Sequence, residues 1–160
     1  MKTIISATLC IGIMLVSCAS PSKTQPDPAR QPWRDSWQAL PAAKSGDAEG
    51  LGKYFAAAKA QLMLPFANGG EDAEAIMTNM IAILDSVGDQ RFSAALLREE
   101  PKTRSAVREF LIEKDVGAGF PKTHEILVDA PLVKWPSDIA EDRSYIEAGN
   151  VPPPKKQWKR

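Results

Sequence analysis

The sequence predicts an all-α protein, a small bundle of about four to five helices that follows an extended N-terminal tether and precedes an irregular C-terminal region. Apolar residues recur at three- and four-residue spacing in several consecutive segments, which is the period of an amphipathic helix. The connections between these segments are very short, so neighbouring helices are expected to run antiparallel. The 160 residues supply material for about one domain.

The first predicted helix covers residues 47–64, and the residues of its apolar face lie at offsets 0, 3, 4, 7 and 11: Leu51, Tyr54, Phe55, Ala58 and Leu62. Pro65 and the Asn-Gly-Gly run at 68–70 end it. A second helix begins near the acidic residues at 71–74, which suit the positive end of a helix dipole. It ends at Gly88, since glycine commonly closes helices.

A third, shorter helix is predicted from Asp89, a candidate N-cap, and a fourth from Pro101 to about Lys114. Beyond Val116 the helical pattern weakens, and glycines and prolines punctuate a region that is expected to be irregular. Within it, residues 126–128 are consistent with a short extended piece. Ser137 is expected to cap a last short helix that Gly149 closes.

The stretch 92–111, with an apolar helix, a Pro-containing turn and an Arg-containing second helix, resembles a HEAT-type helical hairpin. This resemblance covers about residues 90–114 and implies that the hairpin stacks on a neighbour. No clean second copy recurs at a fixed period, whereas a solenoid needs three or more repeats. A compact bundle is therefore favoured over a short HEAT-like array, which stays open as the alternative.

The first seventeen residues have the layout of a secretory signal. Lys2 provides a positive charge, and 4–16 is an uncharged, mostly apolar run that small residues follow. The run has 13 residues, whereas a helix needs roughly 20 to cross a bilayer. The segment is therefore expected to target the chain rather than to anchor it.

The end of that run, Leu15-Val16-Ser17-Cys18, resembles the lipobox of bacterial lipoproteins. The resemblance implies cleavage between Ser17 and Cys18 and attachment of diacylglycerol to the Cys18 sulfur, usually with acylation of the freed amine. Ala19, at a position where enteric inner-membrane lipoproteins usually carry Asp, points to the periplasmic side of the outer membrane. An ordinary signal peptide that happens to contain a cysteine is the alternative.

The mature chain is then expected to have three parts. Residues 18–46 contain five prolines among polar residues, without helical or strand period, and predict a lipidated, semi-extended tether. Residues 47–150 are the helical domain, and 151–160 form a basic, Pro-rich tail. Cys10 leaves with the signal and Cys18 carries lipid, so no disulfide is expected.

Several classes of function are disfavoured by composition. A formal charge of zero, from 20 basic and 20 acidic residues, gives no electrostatic reason to expect nucleic-acid binding. The single histidine, His124, lacks the second His or thiolate that zinc usually requires, so no metal or cofactor is expected. No nucleophile elbow is present. The protein is therefore predicted not to be an enzyme.

The four tryptophans are the most distinctive residues, because all lie outside the main helical segment: Trp33, Trp37, Trp135 and Trp158. A Trp can bury up to about 250 Å², so four exposed indoles would be costly. We expect the tether and the C-terminal region to wrap across the body, with Trp37 and Trp135 filling grooves between helices. The alternative is that these tryptophans bind a partner, since Trp and Arg are common interface anchors.

The predicted role is that of a membrane-anchored lipoprotein, a non-catalytic interaction or structural component of the cell envelope with an unidentified protein partner. The alternative is a small envelope enzyme, or an enzyme accessory, acting on cell-wall glycan or peptide, for which the local polar cluster is His124, Glu125 and Asp129. The tail residues Lys155, Lys156, Trp158, Lys159 and Arg160 could lie on an anionic membrane surface or remain solvated.

Overall fold

The structure, a computed structural model, describes residues 27–65, 70–111, 116–149 and 151, with the side chains at 140, 141 and 145 excepted. A single 3₁₀ turn at Pro28–Arg30 leads into the α-helices. These are α1 (Gln31–Ser45), α2 (Ala48–Leu62), α3 (Glu71–Leu96), α4 (Pro101–Leu111), α5 (Val116–Gly119), α6 (Pro121–Val128) and α7 (Pro136–Glu147). The described residues contain no strand, and the all-α prediction of a small helical bundle is confirmed.

The prediction of a non-helical tether over residues 18–46 is wrong for about half of that length. Residues 31–45 form α1, which packs against α2 and α3 and adds Leu40 to the core. Its buried face consists mostly of small side chains, such as Ser36, Ala39 and Ala43. Small residues and two helical prolines, Pro32 and Pro41, hid this helix from a search for large apolar residues. The folded body therefore begins well before Asp47.

A tight connection joins α1 to α2. Gly46 takes the left-handed conformation (φ +80°), and its N–H bonds to the carbonyl of Ala43 at 3.0 Å. The next N–H, of Asp47, bonds to the carbonyl of Ala42 at 3.1 Å, as expected after a helix that ends in a left-handed glycine. The Asp47 carboxylate then caps α2 by accepting the Gly50 N–H at 2.7 Å. Asp47 begins this helix as predicted.

The core lies where α1, α2, α3 and α4 meet. Phe55 and Phe92 pack edge to face, with ring centroids 5.1 Å apart and planes at 71°. Tyr54 is fully buried, and its hydroxyl donates to the carbonyl of Ile76 at 3.0 Å. The predicted apolar faces of α2, α3 and α4 all contribute to this core.

The second and third predicted helices are the two parts of α3, and the non-helical backbone of Gly88, with a φ of +76° and a ψ of 167°, separates them as predicted. The predicted role of Asp89 as the cap of its own helix is wrong. Its carboxylate instead accepts the N–H groups of Lys122 at 3.0 Å and Thr123 at 2.8 Å. Asp89 thus caps α6, a helix more than thirty positions further along the chain.

The C-terminal region is more regular than expected. Residues 126–128 belong to α6, so the proposed extended piece is wrong. Two buried side chains of α4 hold the following turn: Ser105 Oγ donates to the Pro131 carbonyl at 2.6 Å, and Arg108 donates to that of Ala130 at 3.0 Å. The last helix is present, but it begins at Pro136, one residue before Ser137, and Trp135 occupies its N-cap position.

Candidate functional site

One candidate site is an aromatic surface on α1 that we call the tryptophan face, formed by Arg30, Trp33 and Trp37. The three residues lie three and four positions apart, so they share one side of the helical chain. The Arg30 guanidinium carbon lies 4.7 Å from the centre of the Trp33 ring. Trp33 and Trp37 pack edge to face with centroids 6.1 Å apart.

Arg30 is fixed from its other side by Asp72 of α3. Two hydrogen bonds join them, from Nη2 at 2.8 Å and from Nε at 3.2 Å, in the bidentate geometry that suits a guanidinium and a carboxylate. The hydrogen bond to Asp72 and its charge raise the pKa of Arg30 above its ordinary value. The cation beside Trp33 is therefore held in place rather than free to swing into solvent.

The tryptophans have different environments. Trp135 is fully buried, in agreement with the prediction that it fills a groove, and Lys102 lies 5.6 Å from its ring centre. The same prediction is wrong for Trp37, which is 49% exposed, while Trp33 is partly buried. Trp135 therefore offers no surface to a partner of the folded chain. Trp158 lies outside the described residues.

A groove with a volume of about 390 Å³, which we call the acidic groove, lies where α2, α3, α4 and the start of α7 meet. Apolar side chains line its floor: Leu62, Ala73, Met77, Phe110 and Trp135. Three carboxylates also line it, from Glu74, Glu109 and Asp138. Because these residues come from four helices, no local spacing in the sequence indicated the groove.

The polar cluster proposed for an enzyme is not brought together as one site. Glu125 and Asp129 are exposed and line a cavity of about 570 Å³ together with Arg104 and Lys122. His124 is partly buried and does not line that cavity. Neighbouring positions on a helix project about 100° apart, which explains why His124 and Glu125 diverge. An enzymatic role for this cluster stays a prediction.

Within the described ranges, no group of three or more His, Cys, Asp or Glu side chains has an arrangement suited to a metal ion. None of the helices described for this chain combines the length and apolar character needed to span a bilayer. Leu15, Ser17 and Cys18, for which a lipobox is predicted, lie outside the described part of the chain, as do the residues from 152 onward.

Comparison of the chain with protein-family models, with curated proteins and with solved structures finds no match.

Proposed function

We propose that this protein is a lipid-anchored, non-catalytic interaction component of the bacterial cell envelope. In this proposal Cys18 carries the lipid on the periplasmic side of the outer membrane, and the tryptophan face binds a protein partner. The lipobox supports the first half of the proposal. Two or more acyl chains are needed for durable attachment, because each buried CH₂ contributes only about 0.8 kcal/mol.

The exposure of Trp37 is the observation that supports binding of a protein partner at the tryptophan face. Half of this side chain remains in solvent although it belongs to a helix whose opposite side is packed in the core. Exposed Trp next to a fixed Arg is the composition of an interface anchor, since Trp and Arg dominate the binding energy of many interfaces. The Trp33 edge contact and the Arg30–Asp72 bonds hold the surface in shape before a partner arrives. Such preorganisation lowers the entropy lost on binding.

The position of α1 gives the proposal a geometric consequence. Only nine residues, 19–27, separate Cys18 from the first helical turn. Even fully extended at about 3.5 Å per residue, they reach roughly 32 Å. The tryptophan face would therefore stay close to the membrane, where it meets partners that are themselves embedded in the bilayer or lie on it.

Site-specific photo-crosslinking in the native envelope tests this proposal. A photoreactive amino acid at position 37 is expected to join the chain to one recurring protein partner. The same group at Lys53, an exposed position on α2, is the matched control and is expected to give no such product. The proposal fails if position 37 yields only what position 53 yields, or only lipid adducts.

The anchor is tested separately. The wild-type chain is expected to incorporate a fatty-acid analogue, and a Cys18→Ser variant is expected not to. Labelling of the variant would contradict lipidation of Cys18, and so would a mature wild-type N-terminus that mass spectrometry finds without lipid. Neither result would contradict a protein crosslink from position 37.

A further inference from the structure

We propose that the acidic groove is the binding site for the basic segment 155–160 of the same chain, with Trp158 seated on the apolar floor. The groove is a surface recess and not a sealed cavity, because exposed Glu74 and partly buried Glu109 both line it. An occupant that matches it must combine a large apolar side chain with several positive charges. This inference does not depend on lipidation or on a partner at the tryptophan face.

The charges of the groove and of the segment are complementary. Three carboxylates, from Glu74, Glu109 and Asp138, surround the floor. The segment supplies four cations in six residues: Lys155, Lys156, Lys159 and Arg160. Opposite charges arranged around an apolar centre fix the register of a bound peptide and exclude wrong partners. Long Lys and Arg stems can also cover the apolar rim while their charged ends reach the carboxylates.

The length of the chain permits this contact. Ser137 Oγ donates to the Leu62 carbonyl at 3.3 Å, which fixes the start of α7 beside the groove. The 12 residues of α7 then carry the chain about 18 Å away. Gly149, with a φ of +76°, follows the helix at the position where chains commonly change direction. Ten residue steps lead from Ala148 to Trp158, and they can span roughly 31 Å, which covers the return path.

The test places a photoreactive benzoylphenylalanine at position 158 of the full chain. The expected product is a chain of unchanged mass in which position 158 is joined to the groove, with Met77 as the marker residue identified by mass spectrometry. The yield of this product is expected not to depend on protein concentration. Crosslinks to other parts of the body, to a second copy, to lipid, or to nothing would each overturn the proposal.

Charge reversal then tests the complementarity. A Glu74→Lys, Glu109→Lys variant is expected to lower the Met77 crosslink about fivefold or more. Adding Lys155→Glu and Lys156→Glu is expected to restore it. The matched control, Glu49→Lys on an exposed part of α2, is expected to leave the yield unchanged. Lys155→Glu and Lys156→Glu change no residue of the described helices. These two substitutions without the groove substitutions must therefore also lower the yield, even if the groove variant fails to fold.

Discussion

Gly50 of α2 lies directly against Ala42 of α1, so closely that a β-carbon built on Gly50 would be 2.6 Å from that of Ala42 and 2.7 Å from its backbone carbonyl carbon. Real β-carbons essentially never approach other atoms this closely, and backbone cannot move aside as a side-chain tip can. The hydrogen bonds at Asp47 that join the two helices fix the same crossing. This contact makes α1 part of the folded body.

Gly50→Ala is therefore expected to destabilise the protein by about 3 kcal/mol, because the added methyl group must push the two helices apart. Gly52→Ala is the matched control on the same helix. Its β-carbon would meet only the mobile carboxylate end of Glu99 at 3.1 Å. This variant is expected to gain about 0.5–1 kcal/mol from helix propensity. Urea unfolding followed by circular dichroism measures both, and equal effects would contradict the close crossing.

Removal of the cap that Asp89 supplies to α6 is expected to cost about 1–2 kcal/mol in an Asp89→Ala variant. Partial burial raises the pKa of Asp89, but the N–H groups of Thr123 and Lys122 and the Lys122 charge lower it more, so the net shift is downward from 3.8. The folded state thus favours the carboxylate. This contribution is complete above pH 3.8 and is lost as the pH falls through the lower, folded-state pKa.

Unfolding free energies at neutral and acidic pH check this assignment. The stability difference between wild type and Asp89→Asn is expected to shrink as the pH falls below 3.8. Glu147→Gln, which changes an exposed carboxylate at the end of α7, is expected to remain within about 0.5 kcal/mol of wild type at neutral pH. A constant difference for Asp89→Asn across the acid range would show that the carboxylate is not charged in its cap.

Tyr54 is expected to make the protein sensitive to alkali. Burial raises the pKa of its phenol above the ordinary value of 10.0, although a hydrogen bond with Ser36 acts in the opposite direction. The unfolded chain therefore ionises first, and this contribution to stability is complete below pH 10 and is lost as the pH rises further. Tyr54→Phe is expected to cost about 1 kcal/mol at pH 7, through loss of the bond to Ile76, and to reduce the alkaline decline. Thermal unfolding between pH 8 and 11 measures this loss of stability. An equal loss in wild type and in Tyr54→Phe would contradict the assignment to Tyr54.

Trp135 and Trp37 are expected to contribute very differently to the stability of the protein. Trp135→Ala should cost about 3–5 kcal/mol, because it empties a fully buried site. Trp37→Ala should change stability by less than about 1 kcal/mol, since the residue is half exposed. Fluorescence provides a second measurement: loss of Trp135 removes a blue-shifted component, and loss of Trp37 removes a red-shifted, quenchable one. Identical spectra for the two variants would contradict their assigned environments.

The helices that the sequence predicted correctly have large apolar residues on one side. In α2 and α3, residues such as Phe55 and Ile76 repeat at helical spacing and enter the core. The missed helix α1 packs through Ser36, Ala39 and Ala43, whose small size produces close contact instead of a visible apolar stripe. Its prolines also look like linker residues, although Pro32 lies in the first turn, where proline is tolerated.

The site shows a different limit of sequence reasoning. The importance of tryptophan was predicted from its distribution, but burial of Trp135 and exposure of Trp37 depend on which neighbours the fold supplies. Asp89 was identified as a cap, yet its target helix lies across the bundle. Contacts between distant segments decided both outcomes, and no local spacing contains that information.

The break at Gly88 has a stereochemical consequence. No atom lies within 4 Å of the position that the β-carbon of an L-residue would take at Gly88, so steric crowding does not exclude an L side chain there. The constraint is the positive φ alone, which an L-residue rarely adopts and a D-residue prefers. A chain made by chemical ligation with D-alanine at this position should fold as the natural one does, whereas its L-alanine twin should be strained. The path of α3 thus depends on a residue without an L side chain at position 88.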